Sequence, residues 1–162
     1  MVSLEELREL SDFIYKEARL ADEGLYEAWE ALWADDGTYW VPRAHGKDDP
    51  TKHLSHIFDN RRRITTRVKM LASGYRYSQS PASPMRRLLS NIEAEKREEG
   101  LYWTGANFSL HELAIQATDE INVWVGRVEH TIRRTPEGLR LVQKKVILIN
   151  GDEPIPNLTF LI

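Results

Sequence analysis

The 162-residue chain contains no cysteine, and this absence excludes several classes of chemistry at once. Without thiols the chain can form no disulfide, no thiolate zinc site and no cysteine-ligated iron–sulfur cluster, and it has no cysteine nucleophile. A basic excess is lacking too, because 22 Lys and Arg residues face 25 Asp and Glu residues for a net charge of −3. We therefore expect no nucleic-acid partner.

Long apolar segments are also missing. The strictly apolar run at residues 146–149 is far shorter than the roughly 20 residues that a membrane-spanning helix needs. The first residues are acidic and amphipathic, unlike the basic start and apolar core of a signal peptide. We therefore expect a cytoplasmic protein without membrane contacts. A chain of this length suits one domain over residues 1–162.

Two helical patterns open the chain. Ser3 and Glu6 have the spacing of a capping box, and Leu10 and Ile14 then recur on one helical face, which predicts a first helix over about residues 4–20. A second apolar stripe follows and is predicted to stop at the acidic-glycine turn of residues 35–37. The N-terminal part of the chain is therefore predicted to form a helical hairpin.

A strand and a third helix are predicted next. Residues 38–41 are rich in strand formers and are followed by Pro42, which favours a first strand that leaves the hairpin. Residues 43–56 are polar and predict a loop. Asp59 is then a plausible N-cap for a short helix, and residues 73–84 predict another loop.

The remainder of the chain has the punctuation of a β-sheet. Turn signals at Glu99-Gly100, Thr118-Asp119 and Pro136-Glu-Gly138 separate runs rich in β-branched and aromatic residues, which predicts four long antiparallel strands. Strands of about 12 to 15 residues must twist or bulge, because strands are usually about 5 to 6 residues long. The predicted fold class is α+β, with a strongly curved, mostly antiparallel sheet wrapped around the N-terminal helices.

Nearly the whole chain resembles a known family. The order of two helices, "ADDGTYWVP" and a long curved sheet is similar to the cystatin-like cone of the nuclear transport factor 2 (NTF2) superfamily. A narrower resemblance is to the small (beta) subunit of bacterial aromatic-ring-hydroxylating dioxygenases. It rests on five blocks in order: residues 15–42, 57–71, 80–94, 124–134 and 144–162. Asn60, Ala82 and Pro84 depart from that family's usual pattern.

The resemblance implies a function shared with a partner. Such small subunits assemble with a large (alpha) subunit, typically as three of each, and a homotrimer of the small subunit is possible. The large subunit holds a Rieske [2Fe-2S] cluster and a mononuclear Fe(II), and it dihydroxylates the aromatic substrate with electrons from NADH or NADPH. This chain is then expected to hold no cofactor, no metal and no catalytic residue. Its lack of cysteine agrees with that division of labour.

Asp35 and Asp36 invite a catalytic interpretation. If they begin a strand, neighbouring side chains point to opposite faces and cannot share a proton. We therefore interpret this stretch as a bend between helix and strand, in which one carboxylate accepts backbone N–H groups and Gly37 supplies an unusual dihedral angle. Of the next residues, Tyr39 and Trp40, one is expected in the core and the other at an interface.

The alternative function is a stand-alone NTF2-like enzyme of the dehydratase or isomerase type. His111 or His130, paired with Asp36 or Asp119 inside the cone, would supply an acid–base pair. This alternative fails if aromatic side chains fill the central cavity. A separate metal site at His53 and His56 lacks an obvious third ligand.

The candidates for a subunit interface are aromatic, basic or C-terminal apolar residues. The tail "NLTFLI" should not stay in water, and it is expected to pack on the sheet, under a neighbouring subunit or against its own core. Asp59 and Arg67 are expected to form a structural ion pair. The interface candidates are Tyr39, Trp40, Arg86, Arg87, Trp103, Leu158, Phe160, Leu161 and Ile162.

Overall fold

A computed structural model describes residues 1–43, 49–73, 83–114 and 120–162. Three helices and six strands follow one another in the order α1 (Leu4–Asp22), α2 (Tyr26–Glu30), β1 (Trp33–Pro42), β2 (Ser55–Asn60), α3 (Arg61–Ala72), β3 (Met85–Glu98), β4 (Leu101–Ala114), β5 (Glu120–Thr135) and β6 (Gly138–Leu148). The loop predicted around residues 74–82, Ala82 itself and the turn at Thr118-Asp119 lie outside the described residues.

The first helix forms as predicted. The Ser3 side chain accepts a hydrogen bond from the backbone N–H of Glu6, and the Glu6 carboxylate accepts one from the backbone N–H of Ser3. The helix buries one stripe of residues that recur every three or four positions, and it ends before Gly24, whose φ of 68° favours glycine. That stripe packs towards the sheet and gives the fold its helical core.

The second helix is shorter than predicted. It ends at Glu30, and the stretch around Asp35 and Asp36 belongs to β1 rather than to a bend. Gly37 does not have a positive φ; instead, a Cβ atom there would lie 2.6 Å from Cε3 of Trp33. The predicted unusual dihedral angle at Gly37 was therefore wrong. The glycine is needed because it permits the close approach of the Trp33 ring.

A strand that was not predicted lies between the predicted loop of residues 43–56 and the third helix. β2 pairs with β1 antiparallel and places Phe58 opposite Trp40, with ring centroids 6.3 Å apart. The N-cap of α3 is Asn60, whose Oδ1 accepts the backbone N–H of Arg63 at 3.0 Å, and not Asp59 as predicted. The polar composition before β2 hid this edge strand, because its stability comes from pairing with β1.

The six strands form one open sheet in the order β2-β1-β6-β5-β4-β3. Neighbours run antiparallel except β1 and β6, which are parallel. The four strands from β3 to β6 are 11 to 16 residues long, and the register of β3 shifts near Asn91, whose φ is 54°. The predicted α+β class with a long curved sheet is confirmed, and a bulge bends the longest edge strand.

The sheet has an inner face, which packs against α1 and the buried core, and an outer face. On β5 the inner side chains include Trp124, Val128 and Ile132, whereas Val123 and Val125 point outward. We call the space between α1 and the inner face the cone interior. None of the described helices combines the length and the apolar character needed to cross a membrane.

Candidate functional sites in the cone interior and on the outer face

Three ionisable side chains meet in the cone interior. Glu17 comes from α1, His130 from β5 and Lys144 from β6, and their exposed fractions are 2%, 1% and 1%. Lys144 Nζ lies 2.7 Å from Glu17 Oε1, and Trp29 Nε1 donates to the same oxygen at 2.7 Å. His130 Nε2 lies 3.8 Å from Glu17 Oε2. A carboxylate and an imidazole therefore converge here, together with an ammonium group.

The charges of this cluster follow from burial and pairing. Burial alone would raise the pKa of Glu17, but Lys144 and His130 outweigh it, and the pKa lies below the usual range for a carboxyl. Burial lowers the pKa of His130, which Glu17 only partly opposes, so the imidazole is neutral near pH 7. Burial also lowers the pKa of Lys144 against the opposing effect of Glu17. The ionised Glu17 is held mainly by Lys144.

The cavity beside this cluster is nearly filled. His130 Nδ1 lies 3.3 Å from Thr104 Oγ1. His130 Nε2 has no hydrogen-bond partner among the described residues. The adjacent cavity measures about 10 Å³, and Phe108 and Ile162 help to close it. A volume of this size holds about one water molecule. The cluster has acid–base groups, but this cavity has no room for a substrate.

Residues 160–162 are held inside the protomer. The Tyr39 hydroxyl donates to Ile162 O at 2.7 Å and accepts from Ile162 N at 3.0 Å. Arg87 Nη2 donates to Leu161 O at 2.6 Å, and Arg87 Nε donates to Asp22 Oδ1 at 2.7 Å. Of the expectations for the tail, packing against its own core is the one observed.

The exposure of the interface candidates in the protomer differs from one residue to the next. Six of the nine have little or no exposed surface in the protomer, namely Tyr39, Trp40, Arg87, Phe160, Leu161 and Ile162, and Leu158 is half-buried. Trp40 is covered by Phe58 and by Lys145, whose Nζ lies 4.5 Å from the ring centroid. Arg86 is exposed, and Trp103 is half-buried between the guanidinium groups of Arg97 and Arg127. A partner can reach Arg86 and Trp103 without opening the fold.

Asp35 and Asp36 do not form a catalytic pair. Both carboxylates are exposed, because the pairing of β1 with β6 is irregular between Trp33 and Thr38 and simple alternation is lost. Asp36 accepts two hydrogen bonds from Arg133, each at 2.9 Å. The hydrogen bonds from Arg133 lower the pKa of the Asp36 carboxyl. The predicted role of accepting backbone N–H groups is replaced mainly by this bidentate ion pair.

The other histidines also have local partners. His111 Nε2 lies 3.0 Å from Ser109 Oγ on the outer face, and His56 Nε2 donates to Gly151 O at 2.8 Å. Asp36 is paired with Arg133 rather than with a histidine, and Asp119 lies outside the described residues. Within residues 1–43, 49–73, 83–114 and 120–162, no group of three or more His, Cys, Asp or Glu side chains could hold a metal ion.

The ion pair predicted near the third helix is present. Arg67 Nε donates to Asp59 Oδ2 at 2.6 Å, and the Arg67 guanidinium carbon lies 6.0 Å from the centroid of the Tyr39 ring. Arg61 pairs with Glu30 at 2.9 Å. Arginines of α3 thus connect β2 and α2 to the helix, which is a structural role.

The outer face of the sheet carries an exposed apolar surface. Its members are Leu88, Ile121, Val123, Val125 and Ile149, with exposed fractions of 66%, 64%, 55%, 37% and 68%. Leu88 and Val125 flank Ser109 in the register of β3, β4 and β5, and Ile149 N donates to Val125 O at 3.1 Å. These residues therefore lie side by side across neighbouring strands. We call them the outer apolar patch.

Sequence reasoning missed Glu17, Lys144 and the outer apolar patch. Glu17 had a signal, because it lies three positions after Ile14 on the buried stripe of α1. Lys144 had none, because the register of β5 and β6 shifts between Thr131 and Ile132, and this shift decides which of two adjacent lysines points inward.

The chain is similar to a curated relative in sequence and to a solved structure in fold. The beta subunit of chlorobenzene dioxygenase from Cupriavidus sp. (strain PS12) is 26% identical over 163 residues, covering 94% of this chain and 86% of the relative. The beta subunit of benzoate 1,2-dioxygenase from Burkholderia mallei superposes with a TM-score of 0.76 at 20% identity, covering 99% of both chains.

Enzymes and other proteins adopt the fold as well. A structure described as a putative scytalone dehydratase from Novosphingobium aromaticivorans has a TM-score of 0.71 at 11% identity and covers 95% of this chain and 91% of its own. An NTF2-like protein with a cystatin-like fold from the same organism has a TM-score of 0.61 at 21% identity, with 93% and 86% covered. At such identities the likeness concerns the fold alone.

The family is decided by a sequence comparison over most of the chain. The family described as "Ring hydroxylating beta subunit" matches residues 16–152. This range contains α2, all six strands and the residues of the buried cluster. The chain therefore belongs to the ring-hydroxylating dioxygenase beta-subunit family.

Proposed function

We propose that this chain is a structural subunit of an aromatic-ring-hydroxylating dioxygenase and carries no catalytic residue itself. It would assemble in the cytoplasm with a large subunit that holds the Rieske cluster and the mononuclear iron, most simply as three copies of each. The whole of residues 1–162 would serve as one domain in that assembly. Its role would be to hold the large subunits in register.

The filled cone interior is the observation that carries this proposal. An acid–base enzyme needs a substrate within hydrogen-bond reach of its catalytic groups. Here Glu17 is paired with Lys144, and the cavity beside His130 measures about 10 Å³. The chain also lacks the cysteines that a Rieske cluster requires. A scaffold needs neither a pocket nor a cofactor.

The outer apolar patch is the surface that we propose for assembly. Its five side chains lie on one face of the sheet, with Ser109 between Leu88 and Val125, and exposed apolar surface of this kind commonly marks an interaction site. A stable interface buries about 800 Å² on each partner, so the patch would form the apolar centre of a larger contact. Arg86 borders it through His111 in the strand register, and Arg is enriched at interfaces.

Co-expression tests this proposal directly. The partner would be a large subunit whose sequence carries Cys-x-His and Cys-x-x-His pairs, and the expected product is a coloured, iron-containing complex. Val123→Asp should abolish co-purification, because a charge would enter the apolar centre of the contact. Thr131→Asp is the matched control, since it lies on the same face of β5 away from the patch.

The outcomes separate two parts of the proposal. Complex formation with the wild type but equally with Val123→Asp would overturn the patch as the assembly surface. No complex with the wild-type chain would overturn the subunit function. The isolated chain is expected to be colourless and inactive.

A second candidate function is the stand-alone dehydratase or isomerase. The approach of His130 to Glu17 favours it, and the fold is shared with the dehydratase-like structure. It requires the cone interior to open in the folded chain. Turnover of a hydroxylated substrate by the isolated wild type, lost in His130→Gln, would support this function over the scaffold.

A further inference from the structure

The chain fills part of the cone interior with its own residues 160–162. Ile162 lines the cavity that Glu17, His130 and Lys144 also line. Phe160 packs edge-on against Trp124, with ring centroids 5.5 Å apart. This segment has no helix or strand structure, so it is held by side-chain burial and a few hydrogen bonds rather than by a ladder.

Side chains of the fold aim hydrogen-bond donors at two carbonyl oxygens of this segment. Arg87 Nη2 donates to Leu161 O at 2.6 Å, and the Tyr39 hydroxyl donates to Ile162 O at 2.7 Å. Both donors are buried. The two donors reach carbonyl groups of consecutive residues, and a buried guanidinium and hydroxyl suit the oxygens of a carboxylate, because arginine prefers such planar acceptors.

The remaining walls of the space suit an apolar ring. Phe108, Val128 and Val146 line the cavity, and Trp124 already contacts the ring of Phe160. His130 also lines this cavity, and among the described residues its Nε2 has no hydrogen-bond partner, with Glu17 Oε2 at 3.8 Å. An apolar enclosure with a few convergent polar groups is the usual form of a small-molecule site.

We propose that the cone interior is a binding site for an aromatic or similarly apolar monocarboxylate, and that residues 160–162 occupy this site as an internal substitute. Arg87 and Tyr39 bind the carboxylate oxygens, and Trp124 contacts the ring. The proposal goes beyond the assembly function and does not depend on it, because it concerns the opposite face of the sheet from the outer apolar patch.

The test uses the full-length chain with Phe160→Ala and Ile162→Ala combined. These substitutions remove two of the three buried side chains of the segment, keep Leu161 and leave both donors intact. Benzoate is the probe, and benzyl alcohol is the uncharged comparison of similar shape. Thermal unfolding measures binding, because a ligand that binds only the folded state raises Tm. Near-UV circular dichroism verifies that the variant keeps its tertiary packing.

We expect benzoate to raise the Tm of the double variant and to bind it at least about tenfold more tightly than benzyl alcohol, since the site is built for hydrogen bonds to the ligand. The wild type should show no shift at the same concentrations, because residues 160–162 fill the site. If the double variant does not fold, Phe160→Ala alone is measured with the same pair of probes.

Substitution of the donors decides the proposal. Adding Arg87→Gln, or the milder Tyr39→Phe, should remove the preference for benzoate and leave the binding of benzyl alcohol. Arg86→Gln is the matched control, because Arg86 is adjacent to Arg87 in the sequence and its side chain is exposed. Equal stabilisation by both probes, or a preference for benzoate that survives Arg87→Gln and Tyr39→Phe, would overturn the proposal. A folded variant that binds neither probe would overturn it as well.

Discussion

The inner and outer faces of the sheet differ in how their side chains are satisfied. The inner face buries His130 and Lys144 against Glu17 of α1. Lys144 Nζ and Glu17 Oε1 form an ion pair at 2.7 Å. The outer face leaves Val123 and Ile121 in water. The charged groups are thus matched within the protomer, whereas the apolar groups have no comparable cover among the described residues. A partner would therefore bury more exposed apolar surface on the outer face than at the charged cluster of the cone interior.

Two pairs of identical neighbours make the comparison sharper. Arg86 and Arg87 are adjacent in β3, yet their side chains are 70% and 3% exposed. Lys144 and Lys145 are adjacent in β6, and only Lys144 enters the cone interior. Each pair supplies a substitution and its own control. A difference in the free energy of unfolding between the two variants of each pair would show that the face of the sheet, not the charge, decides how much a residue stabilises the fold.

The largest effect is expected from Lys144→Met. It leaves the Glu17 carboxylate buried without its counter-ion, which typically costs about 3–5 kcal/mol in the free energy of unfolding. Urea unfolding measures this loss. Lys145→Met should cost less than about 1 kcal/mol, because it removes a contact with the Trp40 ring at the surface. Equal losses for the two lysines would contradict the assignment of Lys144 to the interior.

Arg87→Leu should be the next most damaging substitution. It removes the guanidinium from Asp22 and from Leu161 O, but Asp22 still accepts the backbone N–H of residue 87 at 2.9 Å. We therefore expect a loss of about 2–3 kcal/mol in the free energy of unfolding. Arg86→Leu should lie within about 0.5 kcal/mol of the wild type, as exposed substitutions usually do. Chemical denaturation of both variants checks the difference.

The third prediction concerns pH. Burial lowers the pKa of His130 from its ordinary 6.5, so below that pH the unfolded chain binds a proton that the folded chain does not. Stability should therefore fall as the pH drops through 6.5, by at most about 1.4 kcal/mol per pH unit. The lowered pKa of Glu17 adds a further loss below 4.5.

Unfolding of the wild type and of His130→Gln between about pH 7.5 and about pH 5.5 isolates the histidine effect. The variant should have a flatter profile in this range. His111→Gln is the control, since that imidazole lies on the outer face. A wild-type profile that does not decline on acidification would show that His130 is not held neutral.

The smallest effect is expected on the outer face. Val123→Thr keeps the shape and the strand preference of the side chain, so the stability of the isolated protomer should change by no more than about 0.5 kcal/mol. The same substitution should weaken the assembled complex, because it places a hydroxyl in the proposed contact. Urea unfolding of the isolated chain measures the effect on protomer stability. The amount of complex that remains after a high-salt wash measures the effect on assembly.

Local signals were sufficient for much of the fold. The capping box of Ser3 and Glu6 gave the start of α1, and the turns at Glu99-Gly100 and Pro136-Glu-Gly138 gave the ends of long strands. The same reasoning missed β2, because an edge strand of polar composition depends on its partner for pairing. It also extended α2 too far, since the stripe of Trp29 and Leu32 suits a helix and a buried strand alike.

The candidate site could be predicted only in part. His111 and His130 were both considered for the cone interior, and only His130 lies there; its carboxylate neighbour is Glu17 of α1 rather than Asp36. Arg87 and Tyr39 were named as interface candidates, and within the protomer they hold residues 160–162. A strand position has two faces, and the sequence pattern did not identify the inner one.

The amino-acid sequence by itself determined the absence of thiol chemistry, the order of helices and long strands, and the resemblance to the beta-subunit family. Only the tertiary structure decided which lysine, which arginine and which aromatic side chain enter the cone interior. The physical reason is that residue type and turn chemistry act locally, whereas facing depends on strand register. A shift of one residue, such as the one between Thr131 and Ile132, exchanges the two faces of a strand.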